Sequence, residues 1–187
     1  MSDEPPPFRS GNVLATTFTG TLSERRGEPV ERIPTPQRLM DWFAEQGLAV
    51  SSCSAAELRL ARGLREAIHR AATQVAQGAA VRAADRRIIN DRGAGGRAHA
   101  RLAPDGTRHW VLPSSSVDDA LAVIAADAIS LLTGDRDGRL ALCASPTCRA
   151  AFLDTSQSRS RRWCDMNTCG NREKKARFRA RQREGRG

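Results

Sequence analysis

Cys143-Ala144-Ser145-Pro146-Thr147-Cys148 and Cys164-Asp165-Met166-Asn167-Thr168-Cys169 are two cysteine pairs of equal spacing, separated by fifteen residues near the end of a 187-residue chain. Zinc takes tetrahedral thiolate ligands, and two turns that each offer a close pair supply all four without distorting the chain. Disulfides are the rival reading, but a cytoplasmic chain of this size would not keep them in a reducing compartment. Four thiolates leave no open coordination position, so the spacing predicts one structural Zn2+ held by Cys143, Cys148, Cys164 and Cys169, not a catalytic ion. Between the pairs, Ala150-Ala151-Phe152-Leu153 reads as a strand, Ser156 to Ser160 as a loop and Arg161-Arg162-Trp163 as the returning strand, with Phe152 and Trp163 covering the metal. A module of about forty residues cannot build a core of its own, so loss of a ligand should unfold it.

Downstream, Gly170-Asn171-Arg172 leads into a run from Glu173 to Arg183 in which only Ala176, Phe178 and Ala180 are apolar, too few for a buried stripe. The charge is concentrated here. Residues 143–187 hold twelve Lys or Arg against four Asp or Glu, whereas the other 142 residues hold eighteen against seventeen. Only two of the basic residues are lysine, the bias of a GC-rich genome, so clustering carries more meaning than arginine count. A basic helix suits a polyanion, which makes Arg172, Lys174, Lys175, Arg177, Arg179, Arg181 and Arg183 the candidate nucleic-acid contacts. Two blander readings stand beside it: a solubilising tail, and a solvated helix that packs Phe178 against the zinc module.

Upstream, the chain reads as mainly α with some β (α+β). Residues 1–12 read as a disordered start and 184–187 as a disordered tail, while 13–33 mix short apolar stretches with Gly27 and Pro29 and suit a strand or loop. Thr35 as N-cap, Pro36 at the first helical position and Gly47 as stop bound a short amphipathic helix carrying Leu39, Met40 and Phe43. Ser54 and Glu57 form a capping box before Leu58, Ala61, Leu64, Ile68, Ala71 and Val75, a stripe at steps of three and four that predicts a long core helix. A shorter helix around Ala83 to Asn90 should end before Gly93-Ala94-Gly95-Gly96, read as a loop. Pro104-Asp105-Gly106 between residues 97–102 and 107–112 predicts a hairpin. A last helix starts at the serines before Val117, faces Leu121, Ile124, Ala128 and Leu131 inward and stops at Gly134, with 135–138 a linker. The expected organisation is thus a helical domain over 13–138 and a zinc module with its basic helix over 139–183.

Phe152-x-Asp154-x-Ser156, Trp163-Cys164, Cys169-Gly170-Asn171-Arg172-x-Lys174 and Phe178-Arg179-x-Arg181 resemble the CGNR zinc finger over about forty residues. Less specifically, Pro36-x-x-Leu39-x-x-Trp42 with Gly47-Leu48, Ala61-x-x-Leu64-Arg65-Glu66-Ala67 and Ile89-Asn90 resemble the ABATE domain found ahead of that finger in bacterial transcription-regulator-like proteins. The resemblance implies that the cysteines bind zinc, that the basic residues after them bind DNA, and that the helical domain senses a ligand or stress, with Arg65 and Asn90 as candidate ligand-binding residues. Their bland roles are a surface charge and a helix-end cap. Family members usually begin with an Asp-Phe-x-Asn-Thr-like segment; here Thr17-Phe18-Thr19-Gly20-Thr21 departs at both polar positions.

No Ser-His-Asp arrangement, phosphate-cradling glycine motif or carboxylate pair stands out, so no enzyme is expected. Cys53 reads as an unreactive, partly buried thiol; His99 and His109 lie on the two arms of the hairpin and could face each other. The start lacks a secretory pattern and no long apolar run appears, so a cytoplasmic protein without a membrane span is expected. DNA is the leading partner. An RNA- or ribosome-associated protein, and a small-molecule-binding domain with a protein-docking finger, are the alternatives; a homodimer would suit paired half-sites, though no heptad announces one.

Overall fold

The computed structural model describes residues 6–9 and 11–184. The expected disorder of residues 1–5, 10 and 185–187 lies outside the described residues. The chain runs α1 (Leu14–Thr19), β1 (Leu22–Ser23), β2 (Val30–Glu31), α2 (Pro36–Glu45), α3 (Ala55–Ala76), α4 (Ala83–Ala94), β3 (His99–Leu102), β4 (Arg108–Val111), α5 (Val117–Thr133), β5 (Arg139–Leu142), β6 (Ala151–Asp154), a single π-helical turn (Met166–Gly170) and α6 (Asn171–Glu184). The strands form three separate antiparallel pairs, β1–β2, β3–β4 and β5–β6. The architecture is α+β, mainly helical, as the sequence pattern predicts.

Helix α5 is the centre of the larger domain, because α1, α3 and α4 all pack on it. Its apolar residues wrap most of the way round, with Leu121, Ile124, Ala125 and Ala128 fully buried, the pattern of a helix with neighbours on several sides. Phe18, Trp42 and Phe43 form a buried aromatic cluster beside it, with the Phe18 and Trp42 ring centroids 5.1 Å apart. The helix boundaries follow local chemistry. Thr35 accepts the Arg38 N–H ahead of α2, the Ser54–Glu57 box is fully formed ahead of α3, and Ser116 caps α5 while Gly134 ends it in the left-handed conformation.

Three local expectations are corrected. Residues 14–19 form a helix, not a strand or loop, because a partner distant in sequence completes its first turn: Asp127 of α5 accepts the Ala15 N–H at 2.8 Å, and locally the Thr16 and Thr17 hydroxyls donate to the Val13 carbonyl. Helix α4 continues through Gly93 to Ala94 because Gly93 faces Ala125 and Ile129 of α5; only Gly95 and Gly96 leave it. A Cβ on Gly96 would sit 2.5 Å from that of Ala122, so glycine here permits backbone contact with α5. The Asp119 carboxylate then accepts N–H groups from Arg97 and Ser114, holding both ends of the β3–β4 hairpin to the start of α5.

The third correction is in the zinc module. Strand β6 pairs backwards with β5, from Leu142 opposite Ala151 to Arg139 opposite Asp154, and residues 161–163 are not a strand. Asp154, fully buried, turns the chain by accepting from the Ser156 N–H and hydroxyl and from the Arg161 N–H. The return is fixed to the first cysteine turn by one bond, from the Ala144 N–H to the Arg162 carbonyl. Residues 135–138 join α5 to β5, and the last of them is closely packed: a Cβ on Gly138 would lie 2.6 Å from Leu153, and Leu153 belongs to the core of the larger domain. Among the described residues no helix is long and apolar enough to cross a membrane.

Candidate metal centre

Cys143 lies just beyond β5 and Cys148 closes the following turn, with the Cys148 N–H donating to the Ser145 carbonyl. Cys164 ends the return segment, and Cys169 sits in the π-helical turn, which Asp165 caps by accepting the Thr168 N–H at 2.7 Å. The four Sγ atoms lie within 4.8 Å of one another, with Cys148 to Cys164 at 3.6 Å and Cys164 to Cys169 at 3.7 Å. A tetrahedron of sulfurs about 2.3 Å from zinc has edges of roughly 3.8 Å, so the cage fits the ion. Cys143, Cys148 and Cys169 are fully buried and Cys164 half-buried, with Phe152 and Trp163 packed against them as expected. Crowded sulfurs cannot titrate independently: hydrogen bonding from Cys148 pulls Cys143 down to about 7, while Cys143 pushes Cys148 up. Zinc replaces those shared protons, and the cage holds one structural Zn2+ with no open position.

Each residue after Cys169 has a definable task. A Cβ on Gly170 would lie 3.1 Å from Met166 and 3.3 Å from Trp163, so glycine lets the turn close against the indole. The Asn171 amide donates to the Asn167 carbonyl, joining the turn to α6. Arg172 donates to Cys169 Sγ at 3.3 Å, to Ser145 and to both oxygens of Glu24.

Glu24 had no signal in the sequence. It lies 148 positions before Arg172 and takes a left-handed backbone, φ 53°, that favours glycine. Its carboxylate also accepts from Arg9 and from the Thr147 hydroxyl in the first cysteine turn. Burial would raise its pKa, but the Thr147 and Arg172 hydrogen bonds outweigh burial and hold it below the usual glutamate value. The Arg26 N–H adds a bond to the Thr147 carbonyl. The larger domain thus grips the zinc module at a ligand-bearing turn and at the root of α6 simultaneously.

Helix α6 contacts the π-helical turn from which it starts. Lys174, Lys175, Arg177, Arg179, Arg181 and Arg183 are all exposed, and among the described residues none makes an ion pair. Phe178 is 62% exposed and does not fold back onto the metal site. The structure therefore separates the seven basic candidates: six stand free on a projecting rod, and Arg172 is engaged at its base.

The candidates in the larger domain are dispersed. Arg65 is buried, its guanidinium bidentate to Glu31 at 2.7 and 2.9 Å and bonded to Glu66 and Thr21. Asn90 is exposed on α4. His99 pairs with Val111 and His109 with Arg101, so the two histidines are diagonal, not opposite. Cys53 is half-buried, with its thiol raised by burial and then by Glu57. A cleft of about 480 Å³ opens between α1 and the zinc module, lined by Phe8, Arg32 and Phe152 among others.

The ABATE family model, described as "Putative stress-induced transcription regulator", matches residues 12–135. The CGNR zinc finger model matches residues 139–182. No curated protein matches the chain.

Proposed function

The chain belongs to the ABATE family and ends in a CGNR zinc finger, and from that premise we propose that it is a DNA-binding transcription regulator whose N-terminal domain senses a small molecule. The observation that carries the DNA reading is α6: six exposed cations on a helix whose hydrogen bonds to the rest of the chain, among the described residues, come from its first turn, a shape that can lie in or along a groove without moving the domain behind it. Phosphate contacts supply most of the affinity of such a helix, through released counterions. The zinc centre sets where α6 starts, and the Glu24–Arg172 contact sets its direction relative to the sensor. Four thiolates around the ion leave no site for a water or substrate, which supports a regulatory role over a catalytic one.

The test is duplex-DNA binding by the zinc-loaded chain, measured as fluorescence anisotropy over a salt series. Affinity falls steeply with salt, and replacing Arg177, Arg179 and Arg181 by alanine weakens binding to all sequences and flattens the log–log salt slope by roughly 2–3. Salt-independent binding, or an unchanged slope in the triple variant, overturns the reading. Competition with RNA is run alongside; stronger binding of RNA replaces DNA as the partner.

A further inference from the structure

Buried arginines are normally matched by carboxylates, because an uncompensated charge away from water is costly. Arg65 follows that rule, and the half-buried Arg25 and Arg136 do so with Glu66 and Asp127. Arg32 does not. It is only 7% exposed, yet among the described residues its partners are all neutral: the Pro7 carbonyl at Nε, and the Ser23 hydroxyl and Val30 carbonyl at Nη1. Its Nη2 has no partner among the described residues. Burial first, and then the nearby Arg9, push its guanidinium below the usual arginine value, with the charges of Glu24 and Glu31 opposing but not offsetting them.

Arg32 lines the cleft between α1 and the zinc module. Two other arginines line it too, both less deeply buried than Arg32. Arg9 pairs with Glu24 and faces the Cys148 and Cys164 sulfurs; Arg161 donates to the Trp163 and Cys164 carbonyls and lies over the Phe152 ring. Arg32 is the buried one of the three, and Glu24 and Glu31 act on it only at a distance, neither forming a hydrogen bond to it among the described residues. Apolar rings are close by: Phe8, from the segment before α1, and Phe152 of β6 line the same cleft. Its volume of about 480 Å³ is that of a small-molecule site.

We propose that this cleft binds a small organic carboxylate with an aromatic or branched apolar body, the carboxylate meeting Arg32 and the body lying between Phe8 and Phe152. The proposal rests on the sensing role assigned above and gives it a place and a ligand chemistry. Occupancy would be felt by both domains at once, since α1 and β6 supply opposite walls.

Benzoate is the probe, titrated calorimetrically into the full-length zinc-loaded chain at matched ionic strength, with benzamide as its neutral counterpart and acetate as the anion lacking a body. Benzoate binds; acetate binds more weakly and benzamide not measurably. Arg32→Gln weakens benzoate about tenfold or more, and Phe8→Ala weakens benzoate while leaving acetate unchanged. Equal binding of benzoate and benzamide, or unaltered benzoate binding by a folded Arg32→Gln chain, overturns the proposal. So does absence of benzoate binding. If Arg32→Gln fails to fold by circular dichroism, unchanged benzoate binding in Phe8→Ala is the overturning result. DNA anisotropy on the same preparations keeps the two readings apart: lost benzoate binding with intact DNA binding removes this site alone, and the converse removes the DNA reading alone.

Discussion

His69 shows how position decides what a titratable side chain does. It lies on α3, its Nδ1 is buried without a hydrogen-bond partner, and burial followed by the Arg25 charge lowers its pKa to about 4, with Glu66 opposing and Arg70 and Arg65 reinforcing. The imidazole thus stays neutral in the folded chain, while in the unfolded chain it takes up a proton near 6.5. Between those values the unfolded state binds more protons, so this histidine's contribution is intact above 6.5 and drains away as pH falls toward 4. Urea unfolding at pH 7 and pH 5 measures it: the wild-type chain should lose about 2 kcal/mol more stability over that interval than His69→Gln. Equal losses would show that the histidine is protonated in the folded state.

At the scale of elements, the capping box of α3 is fully formed, with the Ser54 hydroxyl accepting the Glu57 N–H and the Glu57 carboxylate accepting the Ser54 N–H. Ser54→Ala should therefore cost about 1 kcal/mol in the denaturation midpoint without altering zinc content. Elements punctuated in this way, α2, α3 and α5, could be read from their own residues, as could the β3–β4 turn and the four-cysteine cage. What escaped the sequence is held from outside. Helix α1 has a first turn completed by Asp127, a hundred and twelve residues away; α4 runs through Gly93 because α5 lies alongside; and β6 turns back to β5 because the buried Asp154 curls the loop that local pattern took for a hairpin. The same limit applied to the site. Ligands were visible in spacing, whereas Glu24 and Arg32 matter only through neighbours the fold brings to them.

For the whole molecule, the junction near residue 138 divides two matched families but not two cores. Leu153 of β6 is buried in the core of the larger domain, and β5 and β6 pack on α3. Removing zinc should for this reason destabilise more than the finger. Chelation, or Cys169→Ser, is expected to lower the melting temperature of the N-terminal helices as well as release α6, and the zinc-loaded chain should melt in one calorimetric transition. Two well-separated transitions, with the upper one indifferent to chelator, would show that the junction is only a tether.

The contact of Glu24 with Thr147 and Arg172 also bears on how such proteins can be rearranged. A finger grafted onto another N-terminal domain by cutting in the 135–138 turn would carry Thr147 and Arg172 but leave Glu24 behind, and would arrive with its cysteine cage complete and the base of its rod unbraced. Chimaeras that keep all three residues together should preserve the alignment of α6; those that split them should bind zinc equally well and yet leave α6 without a fixed direction relative to the new domain.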